Sequence, residues 1–516
     1  MDSAYVRQVL LRTQNGSDIR GSVIATEKEE KTLSGDMAAF IAAGFQDFLA
    51  QKTGKKPEEL RICIGHDSRI TAEEIKQNVI AGMRDAKIYD CGMVSTPSMF
   101  QATVLPECGF DGAVMITASH LPFNRNGLKM MTQEGTLEHG EVTQVLEIAA
   151  DYAVRFGKED SGELISASVF RAPGKKAEPF DLISVYASHM CELIRREVNA
   201  KEYDRPLQGL HIVVDAGNGA AGFFAKQILE PLGADTKGSV FLDPDGMFPN
   251  HIPNPENAKA MEAICTATVQ AGADLGVIFD CDGDRGAVVF ADGTEVNRNT
   301  LIALLSAILS KDHPGTTVVT DSVTSDELAE FLDKIGMKHF RYRRGYKNVI
   351  DKGIELNRAG EPCELAIETS GHGAFRENHF SDDGAYIAVK IIITMAQLRK
   401  EGKRIEDLIA DLRQPAEAAE ERYRILEKDF RTYGQKLLDA FRGYVCAQEH
   451  CSIVEPNYEG VRVAYDDGVN RGWYLMRMSL HDPVIPVNIE SSNPGGAGVI
   501  HDRMQPFFEG KKLEKQ

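Results

Sequence analysis

The sequence predicts an α/β protein: three similar α/β domains with mixed, largely parallel sheets, then a smaller α+β C-terminal domain, set around a central cleft. Three observations predict it. The chain has 516 residues, more than one ordinary core holds. One strand–helix–strand–strand pattern is written three times before residue 413. After residue 413 it gives way to a helix followed by short strands.

The first repeat begins with an apolar strand, Arg61 to Ile64, that runs into Gly65-His66-Asp67. A helix follows over 71–84. A second strand precedes Ser95-Thr96-Pro97, and a third, Gly112 to Ile116, runs into Thr117-Ala118-Ser119-His120. The second repeat has a strand at 210–214, a helix at 221–232, a strand at 239–242 and a strand at 273–279 that ends in Asp280-Cys281-Asp282-Gly283-Asp284-Arg285. The third has a strand at 316–319, a helix at 325–335, a strand at 339–342 before Arg343-Arg344-Gly345-Tyr346-Lys347, and a strand at 364–367 before Glu368-Thr369-Ser370-Gly371-His372. Short apolar strands alternating with helices of this length mean α/β units. A repeat this long means repeated domains, not a solenoid. The last segment carries a helix over 430–441 and strands over 460–465, 472–477 and 486–489. Linkers are expected at 172–179, 292–296 and 415–422. The expected domains are 1–178, 179–293, 294–413 and 414–516.

Composition narrows the function. Apolar residues make up 43% and charged ones 26%, as in an ordinary globular protein. No run reaches the length of a membrane span, and the N-terminus resembles no targeting peptide. A net charge of −19 argues against nucleic-acid binding but leaves room for a small anionic ligand held by a few Arg and Lys. Nine cysteines without a C-x-x-C pair read as reduced thiols of a cytoplasmic enzyme.

Ligands of open α/β sheets sit at the carboxyl ends of strands, and the unusual loops lie there. Asp280, Asp282 and Asp284 place three carboxylates on one tight turn, which a hard cation such as Mg²⁺ relieves. A calcium EF-hand is excluded, because Arg285 and Ala291 stand where its Gly and Glu belong. Ser119 offers a hydroxyl for phosphoryl transfer beside His120, with Lys129 ten residues on as a proton-transfer group or phosphate contact. Glu368, Ser370 and His372 suit sugar hydroxyls, and Arg344 and Lys347 add positive charge. Gly217-x-Gly219-x-x-Gly222, with Asp243 about 20 residues later, formally matches a dinucleotide fingerprint. The glycines read better as close packing.

Together these residues resemble the α-D-phosphohexomutases, the phosphomannomutase/phosphoglucomutase family, over nearly the whole chain. Asp18-Ile19-Arg20-Gly21 is similar to its N-terminal motif, 117–122 to its phosphoserine loop, 280–285 to its Mg²⁺ loop and 368–372 to its sugar-recognition loop. The resemblance implies interconversion of hexose 1- and 6-phosphates, of glucose or mannose, through a phosphoserine at Ser119 and a hexose 1,6-bisphosphate. Mg²⁺ would be held by Asp280, Asp282, Asp284 and Ser119, and glucose 1,6-bisphosphate would be the activator. Arg20 and Lys129 would act near Ser119 with His120, and Arg285 would hold the phosphoserine region. Glu368, Ser370, His372, Arg344 and Lys347 would bind substrate. The partners implied are small hexose phosphates, neither nucleic acid nor membrane, for a monomer or homodimer.

One loop departs from the family. Where its phosphate-binding motif reads Arg-x-Ser-Gly-Thr-Glu-Pro, this chain has Arg477-Met478-Ser479-Leu480-His481-Asp482-Pro483, with Pro486 in place of a second Arg. Arg477 and Ser479 are kept as phosphate ligands. The glycine-rich stretch 494–498 is expected to supply replacement amides. A phosphoglucosamine mutase, or a sugar-phosphate binder without turnover, is the alternative.

Overall fold

Gly112–Ile116, five buried residues in a row, forms an interior strand of the first sheet, as a strand covered on both faces must. The structure, a computed structural model, describes residues 3–156, 158–160, 163–167, 176–479 and 482–516. The chain divides into two units. One comprises residues 1–296, 370–373 and 381–403; the other comprises 297–369, 374–380 and 404–516. Among the described residues, no helix is long and apolar enough to cross a membrane.

In the first unit, β1 (Asp18–Ser22), β2 (Arg61–His66), β3 (Lys87–Met93), β4 (Gly112–Ile116) and β5 (Arg125–Thr132) lie in the order β1-β5-β4-β2-β3. β2 runs parallel to β3 and β4, whereas β5 is antiparallel to β4 and β1. Helices α1 (Gly35–Thr53), α2 (Ala72–Gly82) and α4 (His139–Phe156) contribute to its apolar core; α3 (Thr96–Val104) starts on the Ser95 cap. Parallel alignment of β2 and β4 brings the loops at 67–69 and 117–122 to one end of the sheet. β5 returns beside them with Lys129.

The same unit holds helices α5 (Leu182–Val198) and α6 (Ala258–Ala271) and a second sheet, β6 (Ile212–Asp215), β7 (Leu275–Phe279), β8 (Gly286–Phe290) and β9 (Glu295–Val296), in that order. β6 and β7 are parallel and the rest antiparallel. Here the structure corrects three expectations. The helix expected over 221–232 is a π-helical turn, Phe224–Leu229. The strand expected over 239–242 makes only one bridge, Asp215 to Val240. Gly238 and Phe241 adopt φ of +96° and +52°, which takes the backbone out of the extended conformation on either side of that bridge. The linker expected over 292–296 is a hairpin turn leading into β9. The linker expected at 172–179 lies outside the described residues through Lys175; beyond them Glu178–Pro179 pairs with β3.

In the second unit, β10 (Thr317–Thr320) runs parallel between β11 (Lys338–Arg341) and β12 (Cys363–Ile367). Its helices are α7 (Arg298–Ser310), α8 (Asp326–Lys334) and α9 (Tyr346–Arg358). The C-terminal sheet is antiparallel. It contains β13 (Glu417–Ile425), β14 (Cys451–Ile453), β15 (Val461–Asp466), β16 (Arg471–Met476), β17 (Val484–Ser491) and β18 (Leu513–Lys515), in the order β14-β15-β16-β17-β13-β18. Helices α10 (Phe430–Val445) and α11 (Gly496–Met504) pack into its core. The charged segment read as a linker at 415–422 is most of β13. It pairs with β17 along its length, but β18 reaches only Tyr423–Ile425, so its first half is a sheet edge, where charge is tolerated.

Arg462 fastens this sheet to the third repeat. Its side chain is 2% exposed and donates to Ser322 O (2.9 Å), Thr324 O (3.1 Å) and Asp326 Oδ1 (3.0 Å). Its guanidinium lies 3.8 Å from the centroid of the Trp473 ring, a desolvated cation–π contact.

Candidate active site

The loop after β4 holds Ser119 in a left-handed conformation, φ +52°. The side chain is buried in the first unit, and its Oγ–H donates to Asp280 Oδ2 (3.1 Å). Arg285 Nη2 donates to Ser119 Oγ (2.9 Å) and also to His120 Nδ1. An arginine cannot accept, so His120 Nδ1 is the acceptor and its proton sits on Nε2. Burial first, then Arg285 and Arg20, pushes the His120 pKa down to about 3, so the ring is neutral at physiological pH. Its Nδ1 stands 3.3 Å from Ser119 Oγ. Arg20, on β1 opposite Gly127, is paired to Asp18 (2.7 Å).

The turn after β7 converges on the same hydroxyl. Asp280 accepts from Gly283 N (3.0 Å), Arg285 N (3.2 Å) and Arg285 Nε (3.0 Å). Burial, then the nearby Asp284 carboxylate, raises its pKa well above the usual range. Asp282 Oδ2 accepts from Thr96 Oγ1 (2.5 Å). Lys129 Nζ lies 2.5 Å from Asp284 Oδ2 and 3.7 Å from Asp282 Oδ2. Burial pushes the Asp284 pKa up, but Lys129 and Arg285 outweigh it and the net direction is down.

Three carboxylates with ligand oxygens within 4.8 Å of one another can hold a metal ion. Asp282 Oδ1 and Asp284 Oδ1 are buried and, among the described residues, make no hydrogen bond. Oxygen atoms left so are costly unless a cation takes them. The all-oxygen set suits a hard divalent ion. His372 adjoins the trio, with Nε2 3.6 Å from Asp284 Oδ1 and 3.8 Å from Asp382 Oδ2, and its Nδ1 shares a hydrogen bond with Ser370 Oγ (2.9 Å). The Gly384–Lys400 helix begins against this turn: a Cβ on Gly384 would stand 2.5 Å from the Arg285 carbonyl carbon.

In the second unit, Glu368 follows β12 and accepts from Gly345 N (2.6 Å) at the start of α9. Arg344 Nε lies 3.3 Å from Asp321 Oδ2, and its backbone N–H donates to Glu459 Oε2 (3.1 Å). Lys347 pairs with Asp351 (2.7 Å). Arg477 is only 6% exposed, and among the described residues its buried Nε has no hydrogen-bond partner. Burial lowers its pKa, only partly offset by Glu459. Ser479 Oγ accepts from Asp482 N (3.3 Å). Leu480 and His481 lie outside the described residues.

Two sequence readings resolve here. The replacement amides expected at 494–498 are engaged: Gly495 N and Ala497 N donate to the Glu417 carboxylate (2.7 and 3.0 Å). A side-chain anion already occupies the positive end of α11. The dinucleotide-like glycines serve packing. A Cβ on Gly219 would stand 2.4 Å from Cys281 O, and one on Gly222 2.2 Å from Leu242 O. Sequence reasoning missed Thr96, Asp67 and Arg69. Their signal was position, at the carboxyl ends of β2 and β3.

Comparison with known proteins places these loops in context. Models of phosphoglucomutase/phosphomannomutase α/β/α domains I, II and III match residues 12–153, 185–293 and 297–415. A phosphomannomutase/phosphoglucomutase from Pseudomonas syringae pv. tomato is 29% identical over 507 residues, covering 95% of this chain and 94% of its own. A phosphoglucomutase from Neisseria gonorrhoeae is 27% identical over 498 residues, covering 95% of each. The crystal structure of a phosphoglucomutase/phosphomannomutase family protein from Burkholderia thailandensis matches with a TM-score of 0.76 at 25% identity, over 98% of this chain and 99% of that one.

Proposed function

Because the chain belongs to the phosphoglucomutase/phosphomannomutase family of intramolecular phosphotransferases, we propose that it interconverts hexose 1-phosphates and hexose 6-phosphates, of glucose or mannose. The observation that carries this reading is Ser119 Oγ, held between Arg285 Nη2 and Asp280 Oδ2 beside the carboxylate trio. Ser119 carries the phosphoryl group. A sugar hydroxyl attacks its phosphorus; the new O–P bond forms as the Ser119 Oγ–P bond breaks. The hydroxyl gives up its proton and Ser119 Oγ takes one as it leaves, with Lys129 as the proton-transfer group. After the bisphosphate turns over, Ser119 Oγ–H attacks the other phosphorus and the proton returns to the sugar oxygen. The phosphoenzyme is restored and no atom is gained or lost.

Mg²⁺ bound by Asp280, Asp282, Asp284 and Ser119 would neutralise charge on the phosphoryl oxygens. Arg20, Lys129 and Arg285 supply fixed positive charge in the same region. Glu368, Ser370 and His372 bind sugar hydroxyls, and Arg344, Lys347, Arg477 and Ser479 bind the phosphate that is not reacting. Arg477 supports this role, since a buried guanidinium whose Nε lacks a partner is stabilised by an incoming anion. Glucose 1,6-bisphosphate primes Ser119. The division at 178, 293 and 413 and a cytoplasmic location belong to the same proposal.

Phosphorus NMR tests it. The protein receives Mg²⁺, a trace of glucose 1,6-bisphosphate and, in separate tubes, glucose, mannose or glucosamine 1-phosphate. A 6-phosphate is expected with glucose or mannose. Conversion of the glucosamine ester alone would assign a phosphoglucosamine mutase. No conversion by folded, metal-loaded protein would refute turnover and leave a sugar-phosphate binder.

A further inference from the structure

We propose that Arg69, paired with Asp67, is the positioning residue that imposes the left-handed backbone of Ser119 and thereby aims its Oγ; the inference rests on the phosphoserine reading above. The Arg69 and Asp67 side chains are fully buried. A guanidinium has five N–H donors in a rigid fork, and this one uses them on a single loop and its partner. Nη1 donates to Pro122 O and Arg125 O (2.8 Å each), and Nη2 to Leu121 O (2.6 Å) and Ser119 O. Nε donates to Asp67 Oδ2 (3.2 Å). Four carbonyls converging on one point repel one another without such a donor.

The other side of Ser119 is tied to the same pair. Ser119 N donates to Thr117 Oγ1 (2.8 Å), and Thr117 Oγ1 donates to Asp67 Oδ2 (2.7 Å). Both peptide groups that flank the Ser119 Cα are thus held through Asp67 and Arg69. A non-glycine residue prefers other conformations over the left-handed one by roughly 5- to 150-fold, so φ +52° persists only where its surroundings over-determine it. Asp67 also reaches the carboxylate turn, since Cys281 Sγ, between Asp280 and Asp282, donates to its Oδ2 (3.4 Å). One buried pair therefore sets the register between the acceptor hydroxyl and the groups that polarise it. Neither residue hydrogen-bonds Ser119 Oγ.

Arg69→Lys tests this, because an ammonium is a point donor that cannot span four carbonyls. The expected result is a kcat about 10- to 100-fold lower, with KM for the hexose phosphate within about threefold, since the sugar-binding groups lie elsewhere. Arg69→Ala should regain at least about tenfold in kcat with added guanidinium. Thr117→Val removes only the hydroxyl that accepts from Ser119 N and should lower kcat in the same way; it decides the matter if the Arg69 variants do not fold. A folded Arg69→Lys or Thr117→Val protein with kcat within twofold of the wild type overturns the proposal. Intact mass after exposure to glucose 1,6-bisphosphate separates the two readings. A wild type that takes up no phosphoryl group overturns the phosphoserine assignment and this inference with it. A variant phosphorylated as fast as a competent wild type overturns this inference alone.

Discussion

Replacing Glu490 by Gln should make the second unit more stable at pH 8 and leave it unchanged below pH 5. Glu490 sits on β17, 8% exposed, and accepts from the Trp473 indole N–H (2.9 Å). The recess beside it, lined by Asp326, Glu327, Glu330 and Arg471, is about 10 Å³, room for one water at most. Burial raises its pKa from 4.5 to about 7, with Glu327 adding to the rise and hydrogen bonds from Ser325 and Trp473 opposing it. A carboxyl whose folded pKa is raised gives stability that is full below its unfolded pKa and lost as pH rises through the folded value. That window runs from about pH 4.5 to above 7. The gap between 4.5 and about 7 corresponds to about 3 kcal/mol at pH 8. Gln keeps an acceptor for Trp473 but carries no charge. At about 2–4 °C per kcal/mol for a unit of this size, the melting transition should rise by about 6–12 °C at pH 8. Calorimetry of both proteins at pH 5 and pH 8 measures it. An equal shift at both pH values, or none at pH 8, would show that Glu490 is not held protonated by burial.

Ser119→Ala should lower mutase turnover by about three orders of magnitude or more, with an unchanged melting temperature and no phosphoryl group in the intact mass; near-normal turnover would overturn the phosphoserine assignment. Arg477→Met removes a poorly satisfied buried guanidinium, so it should leave stability equal or raise it by about 1 kcal/mol, while KM for hexose phosphate rises about 10- to 100-fold; an unchanged KM would remove Arg477 from the phosphate site. Chelation of divalent metal should abolish turnover, and Mg²⁺ should restore it. Asp282→Asn should weaken that restoration by about tenfold or more, and Mg²⁺ titration curves that coincide would refute the trio as its site.

Much of the fold was legible because strands such as Gly112–Ile116 and Leu275–Phe279 are unbroken apolar runs, and apolar runs are local signals. The reading failed where a distant partner overrides local pattern. Glu417–Arg422 looks like a solvated linker and becomes a strand because β17, some 65 residues on, offers a free edge. The segment 239–242 looks like a strand, but positive φ at Gly238 and Phe241 turns it away from the ladder.

The linear order of residues by itself determined the candidate chemistry. Ser119, the three aspartates and Glu368–His372 each follow a strand, and such strand ends are where α/β proteins bind ligands. What those groups do to one another was decided only by tertiary structure. Lys129 is an isolated lysine in the sequence and the ion-pair partner of Asp284 in space. Gly495 and Ala497 look available until Glu417 is found on their amides. Arg69 carries no motif that announces four carbonyls. Hydrogen bonds and charge pairs act over about 3 to 4 Å, and only the packing of sheets and loops brings residues 50 to 160 positions apart within that reach.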